Sequence, residues 1–264
     1  MSQAHIFTHH GVSLGYRDSA PAGADAAYVF LSGWGFGSVM GQIALEELAP
    51  ANARCISIDP PGIGAVEDQS AFVYIPRLAR AVAALLRELG VHEGVIMGHA
   101  FGSMVVQEMA MSHDDVVGRL VLLAPVSGMG MAHSLGQASL PTAMSVMNRL
   151  LTGQKTLLEA LYTPDFLLQL KETLGDIFTE VERPAAAAAL SGQIWAASRW
   201  TNWGRTSQIY QPTIILQGDA DPLTTVSHAQ RLANMLPAAD LHILKCGHLP
   251  YWECAEDMKK VLAF

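Results

Sequence analysis

Positions 98–102 read Gly98-His99-Ala100-Phe101-Gly102, two glycines at the spacing that brackets a nucleophilic serine, with alanine in its place. In the G-x-S-x-G pattern a sharp turn joins a buried strand to a helix and presents the serine oxygen at the strand's end. An apolar strand at 94–97 and a helix from Phe101 to about Ser112 supply both flanks. The glycines answer a steric need, because a turn this tight strains the middle residue and leaves its neighbours no room for side chains. Alanine tolerates the strain but presents no reactive atom. Two further segments carry acid–base chemistry. Gly218-Asp219-Ala220-Asp221-Pro222 follows a strand at 213–217, and Gly247-His248-Leu249-Pro250 follows a strand at 241–245. Both lie at carboxyl ends of strands, the edge where sites form in open α/β sheets.

The elements that must position these residues alternate along the chain. Residues 5–9 and 12–17 read as a hairpin around Gly11, and 28–31 as a short apolar strand. A helix covers 43–48, ended by Pro50, and a buried strand at 55–59 runs into Pro60-Pro61-Gly62. Residues 77–89 have helical periodicity with Gly90 as a stop, and after the elbow a strand at 119–124 closes at Pro125. Short apolar runs separated by amphipathic helices indicate a parallel sheet covered on both faces. From 126 to 208 only helical material appears, at 143–151, 156–161, 164–174 and 184–200. Strands then resume at 213–217 and 240–245, separated by a helix at 226–236 and followed by a last helix to Phe264. The expected organisation is a first core part at 1–125, an inserted helical cap at 126–208 and a second core part at 209–264.

The chain has 264 residues, half of them apolar, enough for one large core. Its formal charge of −8 and lack of basic clusters argue against nucleic acid or an anionic membrane as partner. No apolar run approaches the roughly 20 residues needed to span a bilayer. The amino terminus has no basic segment leading into an apolar one, so a cytoplasmic location is expected. Cys55, Cys246 and Cys254 are scattered and odd in number, which reads as reduced thiols. No Cys/His spacing resembles a metal site, and no cofactor is expected.

These motifs together resemble the α/β-hydrolase superfamily over nearly the full chain. The matching residues are Leu31-Ser32-Gly33-Trp34-Gly35, Asp59-Pro60-Pro61-Gly62-Ile63-Gly64, the elbow, Gly218–Pro222 and Gly247-His248. The carboxyl-terminal third is similar to polyhydroxyalkanoate depolymerase-like and small-ester hydrolases. The resemblance implies a mostly parallel sheet of about eight strands flanked by helices, with a helical cap. It implies His248 as general base and Asp221 as the acid that holds its imidazole, with Ala100 at the nucleophile position. Asp219 competes with Asp221, but the family pattern G-x-x-D counted from Gly218 lands on Asp221. The amides of Phe101 and Trp34 are the implied oxyanion donors. Ser32 departs from the family, where many members carry His before the glycine. His99 is expected to be structural with its side chain turned from the site, and Ser103, in ordinary helix, is a poor substitute nucleophile.

The cap bears on substrate. Met129, Met131, Met144 and Met147, with Leu135, Leu140 and Phe166, crowd its first half, and methionine adapts to irregular apolar shapes. Taken singly these residues read more readily as the cap's own core. Together with Trp195, Trp200 and Trp203 they favour a small apolar acyl or aromatic substrate over a charged one. Met129, Met144, Met147, Trp195 and Leu249 are the expected substrate contacts, and nothing in the sequence fixes the oligomeric state.

Ala100 admits three readings. It replaces a serine by design in an ester or thioester hydrolase, leaving an inactive enzyme that still binds substrate. Alternatively it belongs to a natural lyase, cyclase or decarboxylase that uses His248 and Asp221 as acid and base without a covalent step. In the third, the chain is a non-catalytic binding protein. Retention of Asp221, His248 and both elbow glycines favours the first.

Overall fold

In a computed structural model, residues 2–20, 26–127, 145, 148–149, 152, 158–159, 162, 164–182 and 185–262 are described, and eight strands among them form one sheet. They are β1 (Ala4–His9), β2 (Val12–Asp18), β3 (Ala27–Leu31), β4 (Arg54–Asp59), β5 (Gly94–His99), β6 (Val117–Leu123), β7 (Thr213–Gly218) and β8 (Ala239–Leu244). Their spatial order is β1-β2-β4-β3-β5-β6-β7-β8. The pairs β1/β2 and β2/β4 are antiparallel, and every pair from β4/β3 onward is parallel. The hairpin around Gly11, at φ +74°, makes the antiparallel edge.

Strand side chains alternate between two cores because successive Cβ atoms point to opposite faces. Val29, Ile56, Ile96, Leu120, Leu122 and Ile215 enter one core. Phe30, Cys55, Met97, Val121, Leu123 and Leu216 enter the other. The first face is covered by α2 (Ile75–Glu88) and α3 (Phe101–Ser112). The second is covered by α1 (Ser38–Leu48). In α2 the buried Ile75, Leu78, Ala79, Val82, Leu85 and Leu86 repeat at helical spacing. Gly90, at φ +71°, ends it, with Val91 N–H donating 2.8 Å to Leu86 O.

Between β6 and β7 the described elements are α4 (Pro164–Leu174), α5 (Ile177–Glu182) and α6 (Ala187–Ser198). The helices expected at 143–151 and 156–161 fall largely outside the described residues. After β7 come α7 (Val226–Met235), α8 (Pro250–Glu253) and α9 (Ala255–Leu262). Two helix boundaries have identifiable physical causes. Helix α1 contains the expected 43–48 and extends back to Ser38, where the Asp59 carboxylate, 21 residues away, accepts the Ser38 N–H. The last helix is broken in two at Cys254, whose φ of −147° is not helical.

Candidate active site

Every residue expected to do chemistry sits at the carboxyl edge of the sheet. Ala100 follows β5 at φ 45°, ψ −107°, a sparsely populated region that costs of order 1–3 kcal/mol for a residue with a Cβ. Its N–H donates 3.0 Å to Leu123 O, which fixes the turn to β6. The flanking glycines are sterically required. A Cβ on Gly98 would stand 2.6 Å from Val106 Cγ2 and 2.7 Å from Gly102 O. One on Gly102 would stand 2.1 Å from Leu31 O. The chain crosses itself here at backbone contact, and only hydrogen fits.

The loop after β3 passes beside the elbow. A Cβ on Gly33 would lie 3.5 Å from Ala100 Cβ, and Ser32 Oγ closes the loop by donating 2.9 Å to Gly37 O. The Trp34 indole donates 3.1 Å to Leu190 O, and Gly35 N–H donates 2.9 Å to Gln193 Oε1, so α6 is fastened to this loop. Among the described residues neither the Trp34 N–H nor the Phe101 N–H donates to a protein acceptor, and Phe101 is the first residue of α3. Free N–H groups at a helix start are suited to an anion. Trp34, Ala185, Leu190 and Leu223 form a small apolar cluster beside them.

The ends of β7 and β8 meet as closely as the elbow strands do. A Cβ on Gly218 would stand 2.1 Å from Gly247 O, so glycine there lets the acid loop and the histidine loop touch. His248 Nδ1 lies 2.8 Å from Asp221 Oδ2, with both side chains buried. Asp221 also accepts from Leu223 N–H at 2.7 Å, Thr224 Oγ1 at 2.7 Å, Thr224 N–H at 3.0 Å and Gln217 Nε2 at 3.2 Å. Burial alone would raise this carboxyl. The His248 charge and hydrogen bond, with those from Thr224, outweigh it and hold Asp221 at about 2. A carboxylate on Nδ1 makes that nitrogen the donor and leaves Nε2 as the basic lone pair. Asp219 instead pairs with Lys245 at 2.7 Å on the surface.

Three residues hold His248 from behind, and sequence reasoning passed over two of them, Glu253 and Tyr162. His99 does not turn away from the site. Its ring centroid lies 4.7 Å from that of His248, and its Nε2–H donates 2.9 Å to His248 O. His99 is fully buried and its Nδ1 has no partner, so burial, reinforced by the His248 charge, drives its pKa to about 3 and keeps it neutral. Glu253 accepts the N–H groups on both sides of His248, from Gly247 at 2.6 Å and Leu249 at 3.0 Å. Tyr162, from the segment between β6 and α4, donates 2.7 Å to Glu253 and accepts 3.0 Å from Leu249 N–H.

Several expected contacts are placed elsewhere. Met129, Met144 and Met147, with Met131, Leu135 and Leu140, lie outside the described residues. Trp195 packs edge-on to Phe72 and at a tilt to Tyr74, both half-exposed, with the Arg199 guanidinium 4.7 Å over its ring. Leu249 is fully buried in the second core, because Pro250 turns the chain inward. Trp200 donates 2.8 Å to Glu108 and so fastens α3, while Trp203 is exposed and Phe166 packs against the second core. Ser103 Oγ is committed to Ala100 O at 2.5 Å and Val126 N–H at 3.0 Å. A separate cavity of about 430 Å³ has a polar wall of Arg17, Asp59, Glu67 and Glu180. Among the described residues no group of three or more His, Cys, Asp or Glu side chains could hold a metal ion, and no helix is long and apolar enough to cross a membrane.

The arrangement brings together a histidine, a buried carboxylate on its Nδ1 and, among the described residues, two amides without a protein acceptor at the loops around Ala100. A family model described as alpha/beta hydrolase fold matches residues 29–255. A poly(3-hydroxyalkanoate) depolymerase of Ectopseudomonas oleovorans is 27% identical over 216 residues, covering 78% of this chain and 71% of the relative. A pimeloyl-[acyl-carrier protein] methyl ester esterase of Vibrio vulnificus is 26% identical over 232 residues, covering 84% and 87%. The enol-lactonase of Burkholderia xenovorans LB400 superposes with a TM-score of 0.80 at 18% identity, over 98% of both chains.

Proposed function

Since the chain belongs to the alpha/beta hydrolase fold family, we propose that its site is built to hydrolyse an apolar acyl ester or thioester and that Ala100 leaves it binding without turnover. With serine at 100, Oγ would attack the acyl carbonyl as His248 Nε2 takes its proton. Asp221 would stabilise the resulting imidazolium, and the Phe101 and Trp34 amides would hold the oxyanion. His248 would then return the proton to the leaving group, and water would repeat the sequence on the acyl intermediate. With alanine no covalent bond forms, and what remains is binding and the amide pair. The observation that carries this reading is Ala100 itself, held at φ 45°, ψ −107° between two glycines with no room for a Cβ. Strain of that kind serves a residue whose side chain has work to do.

Residues 126–208 serve in this reading as the cap of a core made from 1–125 and 209–264. The bonds Trp34 to Leu190 and Gly35 to Gln193 support a lid seated over the oxyanion loop. The relatives named as a depolymerase of a hydroxyalkanoate polyester and as a methyl ester esterase support an acyl ester as substrate class. A second reading, acid–base chemistry by His248 without a nucleophile, is favoured by the carboxylate on His248 Nδ1, which leaves Nε2 as the basic nitrogen. The two are separated by turnover of short and medium acyl p-nitrophenyl esters. The hydrolase reading expects the parent to be inert and Ala100→Ser at least about 10³-fold above it. A serine variant that adds nothing sinks it.

A further inference from the structure

We propose that Cys246 and Cys254 form a reversible disulfide modification site that brackets the His248 segment. Cys246 is the second residue after β8, and Cys254 is the break between α8 and α9. Their sulfurs are 2.8 Å apart, and both are free thiols. Nothing needs to unfold to join them. The segment between them is already closed on itself, because Glu253, the residue before Cys254, grips the amides of Gly247 and Leu249. A link between the two sulfurs therefore ties down a loop whose ends are together in the reduced state.

The two thiols are not equivalent. Cys246 is buried, whereas Cys254 is partly exposed. The contact between the two sulfurs lowers the pKa of Cys254 and raises that of Cys246. Thiolate character and access thus fall on one residue, the combination that makes a cysteine reactive. The oxidant class that fits is a small-molecule disulfide such as oxidised glutathione. The Cys254 thiolate attacks one of its sulfurs, a mixed disulfide forms and one thiolate leaves. The Cys246 sulfur then attacks the Cys254 sulfur, the second thiolate leaves, and the Cys246 proton goes to it. The protein loses two hydrogens and two electrons, and the small disulfide is reduced to two thiols. Cys55 provides an internal control. It is buried away from any other thiol, and burial pushes it up to about 11.

The test uses the full chain incubated with oxidised glutathione, followed by alkylation, thiol titration and peptide mapping. Two of the three thiols should be lost, the mass should fall by two hydrogens, and the bridge should map to Cys246 and Cys254. Dithiothreitol should reverse both changes. The oxidised chain should melt roughly 5 °C higher, as a closed nine-residue loop constrains the unfolded state. Cys246→Ser should instead stop at one glutathione adduct on Cys254. A mixed disulfide that persists on Cys254 in the parent, or three thiols that still titrate, overturns the proposal. Both readouts follow sulfur alone, so they stand or fall separately from the hydrolytic reading.

Discussion

Mild acid should destabilise this protein through two buried neutral histidines. His99 is held by burial at about 3, and its Nε2–H is committed to the His248 carbonyl. His228, lowered to about 4 by burial and then by the Arg231 charge, accepts the Ser127 N–H on Nε2 at 3.0 Å. A proton there would set one N–H against another. Both folded pKa values lie below the unfolded value near 6.5, so the unfolded chain binds more protons across the interval between them. The stability they contribute is complete above about pH 6.5 and is lost as pH falls toward 4 and then 3. At pH 5 an unfolded histidine is about 97% protonated and a folded one of pKa 3 about 1%. Linkage then gives a loss of about 2 kcal/mol for each ring relative to pH 7.5, about 4 kcal/mol for the pair. Asp221, at about 2, adds nothing to this drop, because its own contribution disappears only below about pH 4. Urea unfolding followed by tryptophan fluorescence at pH 7.5 and 5.0 measures it, with unchanged slope marking an unchanged folded state. Stabilities that agree within about 0.5 kcal/mol at the two pH values would refute the assignment of both rings as buried and neutral.

The elbow and the histidine loop give two further expectations. Gly102→Ala forces a methyl to within 2.1 Å of the Leu31 carbonyl, a backbone atom that cannot step aside, and should cost about 3 kcal/mol or more, lowering Tm by roughly 10 °C. Gly11→Ala has open space and only a positive φ to contend with, so it should cost about 1 kcal/mol; equal losses at the two positions would remove the steric argument. Glu253→Gln leaves one flanking amide of His248 facing an NH₂ group. It should cost about 2 kcal/mol in thermal unfolding and, in an Ala100→Ser background, lower kcat about tenfold with KM little changed. A change in KM alone would mean that Glu253 does not position the histidine.

How much of this was legible depended on whether the cause was local. The sheet could be read because each strand is a short apolar run, and the alternation of Ile96 and Met97 into opposite cores follows from the pleat. The elbow could be read because its two glycines sit at a fixed spacing between an apolar strand and a helix, although the backbone that Gly102 must clear, Leu31, is 71 positions away. The early start of α1 could not, since its cap comes from Asp59 across the sheet. Tyr162 was missed for the same reason, as its hydroxyl reaches a carboxylate 91 positions away, whereas Glu253 acts on amides four and six residues back that carry no sequence pattern of their own. His99 is structural as expected, but its direction was misjudged, because the turn at residue 100 carries residue 99 against Gly33 and His248. Trp195 and Leu249 look alike as apolar candidates in sequence. The fold sends one to a half-exposed aromatic group and the other into the core.

The central claim is that position 100 is the seat of a nucleophile driven by His248. Fluorophosphonate labelling of Ala100→Ser, read by intact mass and peptide mapping, addresses it without reference to any substrate. One phosphonyl group should attach at residue 100, at a rate that falls by orders of magnitude when His248→Ala is added, while the parent stays unlabelled. A serine at 100 that stays unmodified in a folded chain, or that reacts equally well without His248, would contradict the account.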